Sequence, residues 1–153
     1  MRLPRDLVEV LGAFADENVR YLTIGGHAVG VHARPRSTKD LDLWLDHTKP
    51  NVARACRALV RFGAPPEIVE ALRSARSDEI VWMGRVPSRI DFLFRIPGVT
   101  FAAAWPRRVE LVIEGVRVHV VGREDLLANK LATARPQDLR DARALARSAG
   151  RRK

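Results

Sequence analysis

The residues best suited to chemistry lie in the segment 23–46. Over its second half, acidic and apolar residues alternate. On a strand, Asp40, Asp42, Trp44 and Asp46 would share one face, and Leu41, Leu43 and Leu45 the other. Side chains two apart on a strand stand roughly 6–7 Å apart at their Cα atoms, so two carboxylates can converge on one cation or on a close pair. Hard divalent ions such as Mg²⁺ take carboxylate oxygens. Upstream, an apolar run ends in Gly25-Gly26 and turns helical. Glycines there let backbone N–H groups approach a phosphate, and a helix N-terminus adds a dipole favourable to anions. A plain tight turn explains the glycine pair equally well, and a polar strand face explains Asp-x-Asp alone.

A third acid stands apart from these. In a strand-like run, Ile90, Phe92 and Phe94 fall on one face, and Asp91, Leu93 and Arg95 on the other. A lone charge in so apolar a strand is unfavourable unless it has a partner or a task. Further on, Lys130 sits three residues after Leu127 and four after Leu126, at the edge of a helical apolar stripe. It either reaches an anion or snorkels to solvent. Ser37 or Thr38 could bond a phosphate oxygen or cap the turn. Arg34, Arg36 and Lys39 cluster beside the candidate site. His27, His32, His47 and His119 are dispersed, with no i, i+4 pair on one helix, and a single Cys rules out a zinc finger. Of the four, only His27, next to the glycines, is placed to approach a ligand there.

These residues need a scaffold. Apolar spacing predicts helices over 3–17, 28–33, 49–62, 65–72, 101–105, 124–134 and 137–148. Strands are predicted over 21–24, 40–46, 79–86, 89–96, 109–113 and 116–121. In the helix over 49–62, Val52, Ala55, Cys56, Leu59 and Val60 are expected to face inward, and Gly63 to end it. This order predicts an α+β fold, a mixed sheet with helices packed against it. We find no internal repeat or linker, and expect one domain over residues 1–153 with a frayed basic tail at 149–153.

Composition narrows the partners. The 153 residues are 46% hydrophobic and 29% charged, which suits a folded chain. Twenty-seven basic against 18 acidic side chains give a net charge of +9, a balance that favours polyanions such as nucleoside triphosphates or nucleic acid. A solvated Arg-rich surface is the plainer explanation. The lone Cys56 fits a reducing cytoplasm, and no apolar run reaches the roughly 20 residues needed to span a bilayer. No signal peptide is evident.

Gly25-Gly26 followed by Thr38-Lys39-Asp40-Leu41-Asp42-Leu43, with Asp91 later, resembles the signature of the DNA polymerase β-like nucleotidyltransferase superfamily. The small bacterial members typified by abortive-infection (AbiEii-type) toxin nucleotidyltransferases look most similar. The likeness extends to Pro87-Ser88-Arg89-Ile90-Asp91, to Gly98-Val99-Thr100-Phe101 with Trp105, and to Lys130 with Arg135-Pro136-Gln137-Asp138-Leu139-Arg140-Asp141.

The resemblance implies the polymerase β-like palm and transfer of NMP from an NTP such as ATP to a hydroxyl acceptor, with two Mg²⁺ (or Mn²⁺) ions. Asp40, Asp42 and Asp91 would be the catalytic and metal-binding acids, with Asp91 on the acceptor side. Gly25, Gly26, Thr38 and Lys130 would contact the triphosphate. Asp138 is expected to be structural, and Asp141 either to orient Lys130 and Arg135 or to favour a helix N-terminus. The implied acceptor is a tRNA end or a protein side chain, in a toxin–antitoxin or defence setting with a cognate partner. Antibiotic nucleotidylation and a non-catalytic nucleotide- or RNA-binding module are the alternatives.

Overall fold

The computed structural model describes residues 1–153 except Arg36, Ser37, Lys39, Val86, Arg152 and Lys153, and excludes the side chains of 149–151. The elements are α1 (Arg5–Asp16), β1 (Tyr21–Ile24), α2 (Gly25–His32), β2 (Asp40–Leu45), α3 (Lys49–Phe62), α4 (Pro66–Ser74), β3 (Val81–Met83), β4 (Arg89–Leu93), α5 (Phe101–Ala104), β5 (Val109–Ile113), β6 (Val116–Val120), α6 (Arg123–Thr133) and α7 (Pro136–Arg151). A 3₁₀ turn, Trp105–Arg107, follows α5.

Among the described residues six strands form one mixed sheet in the order β3-β4-β2-β1-β6-β5. The two central pairings differ in sense. Strand β2 runs antiparallel to β1, with Ile24 opposite Asp42, and parallel to β4, with Asp42 opposite Asp91. The chain can reach this parallel neighbour because α3, α4 and β3 intervene and carry it back across the sheet.

The Leu41–Leu43–Leu45 face is fully buried, as the alternation predicts. Phe14 of α1 lies 5.6 Å from Tyr21 and 6.0 Å from Phe92, ring centre to ring centre, and so joins two strands on that side. Helix α1 packs on α3, and α3 on α4. Asn51, fully buried in the first turn of α3, ties this layer to the sheet. Its side chain accepts from Arg20 N at 2.8 Å and donates to Arg20 O at 2.9 Å and Asp46 O at 2.8 Å. The entry to β1 and the exit from β2 are thereby pinned together.

The acid face is not uniformly open. Trp44 shares it with Asp40 and Asp42 yet is only 1% exposed. Its indole N–H donates to Phe94 O at 3.3 Å, and Phe101 of α5 meets its ring edge-on at 5.3 Å. One end of this face is therefore core and the other is site. Helices α6 and α7 pack on each other, and both touch α2.

Several expected boundaries move. The helix expected over 28–33 begins at Gly25, because that glycine takes φ +71° and lets the helix start directly at the end of β1. The strand expected over 79–86 is confined to Val81–Met83. There Gly84, at φ +84°, turns the chain so tightly that a Cβ would lie 2.4 Å from Ser88 O. The strand expected to reach Ile96 ends at Leu93; Ile96 instead bridges Val99 across Pro97-Gly98. In α3, Val60 is 62% exposed, one step around from the Val52–Ala55–Cys56–Leu59 stripe, and Ala58 is buried instead. The last helix runs on to Arg151, three residues beyond its expected end.

Candidate functional site

A cavity of about 800 Å³ opens where the start of α2, the start of β2, the exit of β4 and the α6–α7 corner meet. Gly25, Gly26, Thr38, Asp40 and Asp42 line one side, and Arg95, Ile96 and Pro97 another. Asn129, Lys130, Thr133, Arg135, Gln137 and Asp138 close it from α6 and α7. Six of the seven residues expected to bind phosphate or metal therefore face one space. The seventh, Asp91, lies just beyond it.

The local chemistry of β1–α2 makes one wall. The backbone at Gly25 runs so close to Asp42 that a Cβ there would lie 2.3 Å from Asp42 Oδ2. The first turn of α2, with its unpaired backbone N–H groups, thus starts directly beside the acid strand. Thr38 donates to Asp40 O at 3.3 Å and so braces the turn into β2.

The acids form a row. Asp40 and Asp42 stand two apart on β2, and Asp91 sits opposite Asp42 on β4. Burial, then the charges of Asp91 and Asp40, push the Asp42 carboxyl up to about 7; Lys130 and Arg89 offset part of this. A concentration of carboxylate charge that holds one member half-protonated at neutral pH is a donor set suited to hard cations. Asp40 and Asp42 fit the implied metal in this sense. Asp91 is engaged otherwise: Arg89 Nε donates to its Oδ1 at 2.9 Å, and the Arg89 guanidinium lies 4.9 Å from the Trp82 ring centre. Among the described residues no three acidic, His or Cys side chains are placed to ligate a single ion.

Lys130 is not a snorkelling residue. It is 6% exposed, and its Nζ is 3.0 Å from Asp141 Oδ2 and 3.3 Å from Asp138 Oδ1. Burial would raise the Asp138 carboxyl. Hydrogen bonds from Arg135 and Thr133, with the charge of Lys130, outweigh it and hold the group well below the usual carboxylate range. Arg135 grips Asp138 through Nε at 2.7 Å while most of its side chain stays exposed. Asp138 and Asp141 therefore both orient Lys130, and Asp138 also orients Arg135.

Other expectations fall outside the cavity. His27 does not line it; burial, and then the charge of the N-terminal amine, lower its pKa. His32 is buried with Nε2 2.7 Å from Val121 O, and His47 stacks on Phe94 at 4.2 Å. His119 lies edge-on to Tyr21 and Trp105 at 5.4 and 5.1 Å. Arg34 is exposed and away from the cavity, and Arg36, Ser37 and Lys39 lie outside the described residues. Sequence reasoning gave no role to Arg89, Arg95 or Asn129. The signal for the two arginines was present, since both share the Asp91 face by strand alternation. Asn129, whose side chain donates to Pro97 O at 3.0 Å, carried none.

The mixed six-stranded sheet with its packed helices is a polymerase β-like nucleotidyltransferase fold. The solved structure of ANT(2″)-Ia in complex with adenylyl-2″-tobramycin shares it, with a TM-score of 0.60 at 16% identity, over 94% of this chain and 87% of that one. An antigenic nucleotidyltransferase-like protein from Paracoccidioides brasiliensis is similar over 94% of this chain and 77% of its own, at 20% identity and a TM-score of 0.47. The chain belongs to the family described as nucleotidyltransferase of unknown function (DUF6036), which matches residues 5–147. No curated protein sequence matches it. Among the described residues no helix is long and apolar enough to cross a membrane.

Proposed function

We propose that this nucleotidyltransferase is metal-dependent and moves NMP from an NTP to a hydroxyl acceptor, a tRNA end or a protein side chain. One observation carries the reading: the register that sets Asp91 beside Asp42, against the glycine start of α2. The first turn of α2 and Thr38 would receive the triphosphate. Lys130, fixed between Asp138 and Asp141, would present its charge to the phosphates from the opposite wall.

Two divalent cations, when bound by Asp40 and Asp42, would neutralise charge on the phosphates and on the entering and leaving oxygens. The acceptor oxygen forms a bond to the α-phosphorus as the α–β bridging bond breaks and pyrophosphate leaves. Asp91, freed from Arg89, would face the acceptor side, complete the metal site and take the hydroxyl proton. A cytoplasmic toxin–antitoxin or defence role, with a cognate partner, is the setting suggested by the motif resemblance.

The test is incubation with labelled NTPs, Mg²⁺ and total RNA or cell lysate, comparing the natural chain with Asp42→Ala. Label in RNA or protein that vanishes in Asp42→Ala supports the reading. Label in neither, with none transferred to added antibiotics, favours a non-catalytic nucleotide-binding module. Asp91→Ala is expected to keep NTP binding and lose transfer; full transfer by that variant refutes its role. The fold shared with ANT(2″)-Ia favours antibiotic nucleotidylation as a second reading. The charge of +9 opposes a cationic aminoglycoside acceptor.

A further inference from the structure

The row that holds Asp42 and Asp91 continues onto the neighbouring strand. The edge strand β3 places Trp82 opposite Asp91, so Asp42, Asp91 and Trp82 stand side by side across three strands on one face. At about 4.8 Å per strand, the indole is rooted roughly 10 Å from Asp42, on the side away from Gly25. Trp82 is 54% exposed, and Ile80, two residues earlier, is 57% exposed. A Trp left open on an edge strand next to a charged site is an unusual use of the residue most able to stack on a flat ring.

A second cavity, of about 350 Å³, adjoins. Ile80 lines it, and it shares Leu93 and Arg95 with the larger one. Asp78 and Glu79, which also line it, are paired with Arg76, at 3.8 and 3.4 Å.

Arg89 links these parts. Its guanidinium holds Asp91 at 2.9 Å and lies over Trp82 at 4.9 Å. For Asp91 to act on an acceptor, Arg89 needs another anion, and one face of the indole needs another planar group. A nucleotide supplies both, a phosphate for the guanidinium and a base for the ring; a neutral or cationic sugar supplies neither. The +9 charge favours the same ligand.

Resting on the transferase reading above, we propose that Trp82, Arg89 and the adjoining Ile80–Leu93–Arg95 groove form the acceptor subsite. It takes the free end of a single-stranded nucleic acid, with one base on the indole and its phosphate on Arg89. Arrival of the acceptor would then be the event that releases Asp91.

Binding of 5′-fluorescein-labelled single-stranded 12-mers, RNA and DNA, to the full chain tests this by anisotropy, with Mg²⁺·ATP binding measured separately. Trp82→Ala is expected to weaken oligonucleotide binding roughly 5- to 150-fold, as loss of one base–aromatic stack does. Trp82→Phe should lose less, and ATP affinity should stay within about twofold in both, since Trp82 lies outside the larger cavity. Arg89→Ala should lower the salt dependence. RNA binding more tightly than DNA, or the reverse, assigns the sugar. Oligonucleotide binding unchanged in Trp82→Ala overturns the proposal. So does a natural chain that binds ATP but neither oligonucleotide, which points to a protein or small-molecule acceptor. Failure to bind ATP would sink the transferase reading, and the oligonucleotide arm would still decide the subsite.

Discussion

At the residue scale, the site is a set of charges that restrain one another. Burial and two neighbouring carboxylates raise Asp42 to about 7 from an ordinary 3.8. A carboxyl raised on folding binds its proton more tightly in the folded state. Its contribution to stability is full at low pH and is lost as pH rises through about 7. Asp42→Asn should therefore stabilise the metal-free protein at pH 8 by roughly 1–4 kcal/mol, and very little near pH 4. Thermal unfolding in chelator reads this directly. Adding Mg²⁺ should raise the melting temperature of the natural chain and leave Asp42→Asn almost unmoved, because the ion relieves the repulsion that the substitution removes. Lys130 presents the opposite case, a buried cation held by two carboxylates. Lys130→Met leaves Asp138 and Asp141 facing each other without it. Denaturant unfolding should show a loss on the order of 2–4 kcal/mol, with part recovered in Lys130→Met/Asp141→Asn.

At the element scale, two short devices set where the acids stand. The α2 helix starts on Gly25 itself, with its backbone against Asp42. Gly25→Ala requires an L-residue at φ +71° and pushes a methyl into the Asp42 carboxylate. The expected result is a loss of about 1–3 kcal/mol and of Mg²⁺-dependent nucleotide binding, measurable by unfolding and by calorimetry. Asn51 acts at the other end of β1 and β2. Asn51→Ala leaves Arg20 N and Asp46 O without this partner in a part-buried place, while Arg20 O keeps its bond from Asp46 N at 3.2 Å. Unfolding should show a loss of roughly 2–4 kcal/mol while nucleotide affinity at the far end of the strands holds. The β3–β4 hairpin is the third device. Its turn at Gly84 places Arg89 at the start of β4, next to Asp40 in the parallel register.

At the scale of the whole molecule, the surplus of positive charge sets how the protein meets its ligands. With Arg89 and Arg95 as two phosphate contacts, oligonucleotide affinity should fall roughly five- to tenfold between 50 and 200 mM salt. Folding stability should change little over that range, because the core is a sheet face of leucines and aromatics, insensitive to screening. A flat salt response would mean that the basic surface is only solvated.

Much of this protein was legible along the chain. β1, α3 and β5 keep their expected bounds, with Gly63 ending α3, and β2 follows its period of two as far as Leu43. These signals are local, since neighbours in sequence impose them. Only the tertiary structure decided which strand lies beside which. It set Asp91 against Asp42, buried Trp44 under α5 on the face its pattern shares with the acids, and gave Lys130 to Asp138 and Asp141. It also stacked Arg89 on Trp82. The reason is physical: a strand's pattern fixes which way each side chain points. What it meets there depends on register and on the helices that cover the sheet, and those are set by packing between segments far apart in the chain.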